Sequence, residues 1–442
     1  MSRLLIPLAA LLLAGCAGFS PDGGMDRVAA LARERTGHAP RPGAEAAARA
    51  AELLRAPLTA DGAVELALLQ HRGLQARLAA LGVAEADFVR AGRLANPVFG
   101  FGRLRAGSAL EIDRSLMFDL LGLLTLPAAR QAGQARFEQA QLDAAAAAVE
   151  QAGLAREAWT EAVAARQLVQ YQEQVHDAAD AASELAGRMQ QAGNLPALAR
   201  LREQAFRADA AADLARARQQ AVAAREQLVR TLGLQPDQLD ALQLPERLPD
   251  LPPALPAPEQ AEQQALARRL DVLAAQQRAE AAARTLGLDQ ATGLVGALEL
   301  GPQNKSSSGA ARANGWEAAV ELPLFDLGRT RWAAAEARHR QALHEAADVA
   351  LRARSEVRER WAAWQSAHAL ARHWRDEALP LRQRIAEQTL LHYNGMLVGV
   401  FDLLADAREQ VRAVAATVQA QRDFWLADSR LQQAMAMPPA HP

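Results

Sequence analysis

Cysteine is nearly absent: Cys16 is the only one in 442 residues, so no intramolecular disulfide can form. Aromatic residues are scarce at 4%, with two tyrosines, although half the chain is hydrophobic and alanine dominates that half. That balance argues against a globular core of large side chains and for long, closely packed helices. Excess charge is missing too: 49 basic and 51 acidic residues leave a formal net charge of -2, with no bulk attraction for nucleic acid. No stretch beyond the N-terminus reaches about 18 consecutive apolar residues, which excludes a transmembrane helix in the mature chain. Catalytic constellations are also lacking. His339 and His344, like His368 and His373, lie five apart, which does not place two ligands on one helix face. The string "HEAAD" lacks the second histidine of a zinc-protease motif. Trp361, Trp364 and Trp374 read as packing or interfacial residues, the methionines are scattered, and neither a metal nor a cofactor is expected.

What is present begins with "MSRLLIPLAALLLAGC", in which Arg3 precedes an apolar run from Leu4 to Ala14. The run is too short to span a bilayer as a mature helix and fits a secretory signal over residues 1–15. Leu13-Ala14-Gly15-Cys16 resembles the lipobox of bacterial lipoproteins, which makes Cys16 the lipidated mature N-terminus. Ala17 stands where, by the same analogy, an aspartate would favour the inner membrane, so the outer membrane is the expected address.

Residues 16–58, with Pro21, Gly23, Gly24, Pro40 and Pro42, read as a linker or surface-wrapping arm. Helical patterning then starts at Thr59 or Asp61, either of which suits a cap, and runs to about Leu94. After the island "ANPVFGFGRLRAG", a long helix is predicted from Pro127 to Gln191, and a further one from Pro196 to Leu234. Pro245, Pro249, Pro252, Pro253, Pro256 and Pro258 make 245–258 an extended connector. The same order returns over 259–436: a helix to about Leu288, the island "ATGLVGALELGP", a polar loop "QNKSSSGAARANG", "WEAAVELPLFDLG", a helix over 329–392, the turn "YNGMLVGVF" and a last helix, before the tail 437–442. Gly100 registers on Gly296, Leu74 on Leu270 and Gly193 on Gly395, and "MFDLLG" echoes "LFDLG". The chain is an internal duplication. At 1.5 Å per residue each long helix is roughly 95 Å, close to the summed length of the two shorter helices of its repeat, so two short helices stack beside one long one. Apolar residues at sevens, Leu343, Val357 and Trp364 with Ala350 and Ala371 between, and Leu142, Val149 and Val163, suit coiled-coil-like packing.

The islands alternate as strands do. In "SALEIDRSLMF", Leu110, Ile112, Leu116 and Phe118 share one parity, Arg114 being the exception, and Glu111, Asp113 and Ser115 the other. Leu294, Gly296, Leu298 and Leu300 oppose Glu299, and Trp316, Ala318, Val320 and Leu322 oppose Glu317 and Glu321. The first island is the least regular: Gly100 and Gly102 fall with Val98 and Leu104, against Phe99 and Phe101, so its lipid-facing parity is open. Runs of about 8 to 11 residues suffice to cross a membrane as tilted strands. Four strands cannot close a barrel, and lipid does not tolerate an open edge, so closure needs several copies. Glu111, Asp113, Glu299, Glu317 and Glu321 fit an acidic pore lining, and ordinary lumen solvation explains them equally well. Four short strands in a soluble cap domain remain the alternative.

The lipobox, "LANPVFGF", "VELPLFDLGRTRWAAAEARHRQA", "HYNGMLVGVFDLLADAREQ" and the duplication together resemble the TolC family of outer-membrane efflux ducts, in its lipoprotein branch. The resemblance covers about 60–436 and implies a mainly α fold with a small β part. Each chain of a homotrimer then adds four strands to a 12-stranded barrel above a periplasmic helical tunnel. It also implies a periplasmic adaptor protein and an inner-membrane transporter as partners. The adaptor-contacting helical tips fall on Gly193, Asn194, Leu195 and Pro196, and on Asn394, Gly395, Met396, Leu397, Val398 and Gly399. The family's aperture carboxylates are matched once, at Asp402; Ala405 occupies the partner position, and Asp406 substitutes only if the helix rotates. A helix-capping role for Asp402 is compatible with the aperture role. The expected function is a passive exit duct of a tripartite efflux system. The alternatives are the duct of a type I protein-secretion system and a pore-less periplasmic scaffold lipoprotein.

Overall fold

A computed structural model of the chain describes residues 18–41, 43–252, 261–292, 297–308, 311–321, 325–326 and 328–438. Cys16 and the signal segment, 253–260 of the proline connector, Leu294, Gly296 and Leu322 lie outside the described residues. The elements run α1 (Met25–Thr36), α2 (Ala44–Leu53), α3 (Ala60–Gln70), α4 (Arg72–Ala91), β1 (Val98–Ala106), β2 (Ala109–Asp119), α5 (Leu120–Gln191) and α6 (Ala197–Leu232). There follow α7 (Ala261–Arg268), α8 (Leu270–Thr292), β3 (Leu298–Ser307), β4 (Ala313–Val320), α9 (Arg329–His373), a π-helical turn (Trp374–Ala378), α10 (Leu379–Asn394) and α11 (Val400–Met435). Among the described residues no helix is long and apolar enough to cross a membrane.

Local chemistry sets several bounds differently from the sequence pattern. Thr59, not Asp61, caps α3, its Oγ1 accepting from Gly62 N at 3.0 Å; Asp61 instead takes a hydrogen bond from Arg156. The expected single helix from there to Leu94 breaks at His71, whose backbone is extended (ψ 113°) and whose Nδ1 accepts from Leu74 N at 3.2 Å, capping α4. The second repeat breaks correspondingly at Arg269, between α7 and α8. The long helix α5 starts at Leu120 rather than Pro127, because Asp119 Oδ1 accepts from Gly122 N at 2.8 Å. Pro127 lies inside the helix, where it forgoes one i→i−4 hydrogen bond. The helix expected over 329–392 is interrupted by the π-helical turn, after which Pro380 opens α10.

The chain forms two compact units, and α5 and α9 contribute to both. One comprises residues up to Val28, Arg77–Ala145 and Leu270–Arg352. In it Phe88 of α4 stacks on Phe137 of α5 at 5.8 Å. Part of the N-terminal arm is tied there: Ser20 donates from N and Oγ to Glu85 Oε1 at 2.5 Å, and Gln141 Nε2 donates to Gly24 O at 3.3 Å. The other unit comprises Ala29–Ala76, Ala146–Arg269 and Ala353–Pro442. Its cores repeat one device, a tryptophan of a long helix against the segment that precedes a repeat's first helix. Trp159 is buried with Leu58, Leu228 and Leu244, and its Nε1 donates to Leu58 O at 2.7 Å. Trp364 is buried with Leu251 and Phe424, and its Nε1 donates to Asp428 Oδ1 at 2.9 Å. The connector's carbonyls are held as well: Trp425 Nε1 donates to Pro249 O at 3.0 Å, and buried His368 Nε2 lies 3.1 Å from Pro252 O. Of the heptad residues, Val357, Trp364 and Val163 are buried, whereas Leu343 is half exposed in the single chain.

Candidate functional site

In the first unit the strands form one antiparallel sheet in the order β1-β2-β3-β4, so β2 and β3, from different repeats, pair across a long crossover. Residues directly opposite each other share a face. Phe99↔Leu116, Phe101↔Arg114, Phe118↔Leu300 and Pro302↔Trp316 therefore place the aromatic residues and most of the aliphatic ones on one face, while Val98, Leu104 and Met117 fall on the other. This resolves the first strand: its phenylalanines join the apolar face, and Gly100 and Gly102 join the polar one opposite Ser115 and Asp113. Glu111, Asp113, Glu299 and Glu317 all fall on that polar face, through Glu111↔Ser307, Asp113↔Lys305, Asp119↔Glu299 and Gly301↔Glu317. Glu321 follows at the same parity, its N donating to Ala297 O at 3.0 Å. The sequence reading passed over Asp119, which sets a second carboxylate directly across from Glu299 and also caps α5.

Two strands are longer than expected. β3 continues through Gln303-Asn304-Lys305-Ser306-Ser307, which read as loop, and β4 starts at Ala313 rather than Trp316. Apolar alternation identifies only the part of a strand with one apolar face. Here both faces turn polar, yet the ladder continues through Asn304↔Asn314, with Asn304 Nδ2 donating to Asn314 Oδ1 at 2.6 Å.

In the second unit, α5 and α6 meet at one tight turn and α10 and α11 at another. At the first, Asn194 N donates to Met189 O at 2.9 Å and Gly193 takes φ 77°, the left-handed conformation that closes a helix C-terminus. At the second, Leu397 N donates to His392 O at 2.8 Å and the left-handed residue is Met396, φ 60°. The structural partner of Gly193 is thus Met396 and not Gly395, which has φ −82°. The sequence aligned the glycines; the hydrogen bonds align the left-handed positions. A β-carbon there costs about 1 kcal/mol. We predict that Met396→Gly raises the local stability of the α10–α11 turn by roughly that amount, read as slower amide exchange at Leu397; unchanged exchange would refute the strain.

Exposure separates the turn residues. Gly193, Asn194, Gly395 and Gly399 are exposed, and Met396 and Leu397 are 94% and 75% exposed. Leu195 is buried with Ala186 and Ala199, so it holds the turn together instead of presenting a surface, contrary to its expected contact role. Asp402 Oδ2 accepts from Gly399 N at 3.1 Å in the first turn of α11, the capping geometry. Asp406 is engaged by a hydrogen bond from Thr389 Oγ1, which turns it toward α10. Behind these turns Glu203 of α6, 2% exposed, accepts from a single nitrogen, Nη2, of Arg408 of α11 on both its carboxylate oxygens, at 2.8 and 2.9 Å. Sequence periodicity gave no sign of this pair, because it joins two repeats. Elsewhere in this unit, Tyr171 is pushed up to about 12 by burial, and the Arg49 guanidinium forked on Glu65 holds that carboxyl below the usual carboxylate range.

No protein-family model and no curated relative matches the sequence. Solved structures do match. The outer membrane protein VceC of Vibrio cholerae aligns over 86% of this chain and 96% of its own, at 18% identity and a TM-score of 0.71. The Campylobacter jejuni outer membrane channel CmeC aligns over 87% of each chain, at 13% identity and a TM-score of 0.73. The Neisseria gonorrhoeae outer membrane channel MtrE, in its open state, aligns over 85% of this chain and 88% of its own, at 16% identity and a TM-score of 0.69. At this identity the likeness is one of fold, and the fold of this chain, long paired helices with four strands, is that of the TolC-type outer-membrane channels.

Proposed function

We propose that this protein is an outer-membrane exit duct of a tripartite efflux system. It conducts solutes passively, while an inner-membrane transporter supplies the energy and a periplasmic adaptor joins the two. The observation that carries the reading is the two-faced sheet. One face carries Phe99, Phe101, Leu116, Phe118, Leu300 and Trp316 and bears no carboxylate among the described residues, the other holds the acids, and both outer strands have an unpaired edge. Such a sheet is stable in lipid only when closed, and three copies give 12 strands. A pore-less scaffold has no use for it. The acids Glu111, Asp113, Glu299, Glu317 and Glu321 then line the lumen, and the exposed Met396 and Leu397 at the α10–α11 turn offer an apolar surface to the adaptor.

Single-channel recording of the purified oligomer in a planar bilayer tests the reading. Discrete conductance steps are expected, and a reproducible absence of conductance, also in variants of the turns, would favour a scaffold. If Asp402 narrows an aperture in addition to capping α11, Asp402→Ala raises the open probability; unchanged conductance leaves it a cap. Loss of that cap costs about 1 kcal/mol in either case. The anchor is tested separately: Cys16→Ser abolishes metabolic labelling with a radioactive fatty acid, and persistent labelling refutes lipidation.

A further inference from the structure

The apolar face of the sheet is not uniformly apolar. Arg103 and Arg105 of β1 and Arg114 of β2 lie on it, in register with Ile112, Leu110 and Phe101 respectively. All three are exposed; Arg103 and Arg105 stand close to the turn at Gly107 that joins β1 to β2, and Arg114 stands at the midpoint of β2, one diagonal step inward from Arg103. α4, α5, α8 and α9 all join the sheet at its other end, so Arg103 and Arg105 mark the end remote from the helices and Arg114 adjoins them from the middle of the sheet. Toward the helices the same face carries Phe99, Leu116, Trp316 and Leu300, all without charge.

Carboxylates of the sheet lie on the opposite face, where Lys305 stands across from Asp113. Arg114 Nη1 donates to the neutral Asn304 Oδ1 at 3.2 Å, and Arg103 and Arg105 have no hydrogen-bond or ion-pair partner among the described residues. Three guanidiniums on a lipid-facing surface need an anion from outside the chain, because a charge left unpaired beside hydrocarbon is costly. Along a strand Arg103 and Arg105 are about 7 Å apart, and Arg114 is diagonal to Arg103 on the neighbouring strand, within reach of one headgroup. Guanidinium matches phosphate oxygens in a two-pronged geometry, and long arginine stems extend along apolar surface to the polar interface.

We propose that Arg103, Arg105 and Arg114 form a binding site for the phosphate of an anionic lipid headgroup in the leaflet reached by the hairpin ends. The site rests on the barrel reading above, since only a closed barrel turns this face toward lipid.

The test uses the full-length oligomer in nanodiscs of equal parts phosphatidylcholine and phosphatidylglycerol, with lipids retained on the released protein counted by native mass spectrometry. Phosphatidylglycerol is expected to be enriched on the wild type, and the enrichment is expected to fall roughly tenfold in Arg103→Gln/Arg105→Gln/Arg114→Gln. Arg103→Gln and Arg105→Gln alone each give a partial loss, which keeps the test available should the triple variant assemble poorly. Lys305→Gln, on the polar face, should change ion selectivity and leave lipid retention intact. Equal retention by wild type and arginine variants overturns the site while conductance still supports the duct. So does a shift of ion selectivity, without lipid loss, in the arginine variants, for it would place these side chains in the lumen. Failure of the wild type to insert and conduct sinks the duct and this site with it.

Discussion

Gly301→Ala is expected to abolish assembly of the oligomer, whereas Gly315→Ala in the neighbouring strand leaves it intact. A β-carbon built on Gly301 falls 1.8 Å from the Leu116 carbonyl oxygen and 2.7 Å from its carbonyl carbon. Both are backbone atoms, so no rotamer change relieves the overlap; β2 and β3 must separate. The site is already the weakest point of that pairing. The paired positions run from Glu111↔Ser307 to Ser115↔Gln303 and resume at Phe118↔Leu300, and between them Pro302 has no N–H to offer. The β2–β3 seam joins the two repeats, so losing it divides the sheet into two hairpins, neither of which is stable alone. The cost belongs to the far tail of single substitutions, about 4 kcal/mol or more. At Gly315 nothing lies within 4 Å of the added carbon, which makes it the matched control. Semi-native electrophoresis of membrane extracts reads the result: Gly301→Ala should yield no heat-labile oligomer band and Gly315→Ala a normal one. A normal band from Gly301→Ala would mean that the close approach of β2 and β3 is not a requirement of the assembled sheet.

How much of this was legible in the sequence depended on whether a feature is periodic. The helices and the apolar parity of β2 were readable because a 3.6- or 2-residue repeat carries them. The polar ends of β3 and β4 were not: Gln303 and Lys305 alternate with Asn304 and Ser306, polar on both faces, and only the pairing partner shows that the ladder continues. The parity of β1 could not be settled from its own residues, since Val98 and Leu104 accompany its glycines; the register against β2 decided it. Helix starts shifted where a side-chain cap competed with proline as the marker, as Asp119 does with Pro127. At the α10–α11 turn the glycine was the wrong marker altogether, because Met396 occupies the left-handed position next to it. Asp119 escaped notice as a member of the acidic face for a related reason: it ends a strand and caps a helix, so neither period includes it.

Arg408→Ala is expected to loosen the α6–α11 contact by about 3 kcal/mol and, if the duct reading holds, to raise the frequency of open events in bilayer recordings. Glu203 is 2% exposed and Arg408 Nη2 serves both its oxygens, so removing the arginine leaves a carboxylate buried without compensation. The estimate sits at the lower edge of what breaking a buried pair costs, because the Arg408 side chain is 27% exposed and water can follow it inward. Part of the loss is not ionic: the Arg408 guanidinium carbon lies 4.3 Å from the Phe206 ring centroid, a contact worth about 0.5–1 kcal/mol where solvent reaches it. Two further variants separate these contributions. Arg408→Met keeps the stem over Phe206 and strands the carboxylate, so it should be nearly as damaging as Arg408→Ala. Arg408→Met/Glu203→Leu removes both charges and should recover most of the stability, since an apolar replacement of a buried pair is often neutral or better. Amide exchange along Ala197–Leu232 and Val400–Met435 measures the local stability, and a double variant as loose as the single one would show that the pair acts through direction, not charge compensation. Recordings add what stability cannot: if the recovered double variant still opens more often than wild type, the directed Arg408–Glu203 hydrogen bonds themselves hold the two helices in register, and the exposed turn beyond them closes because that register is kept.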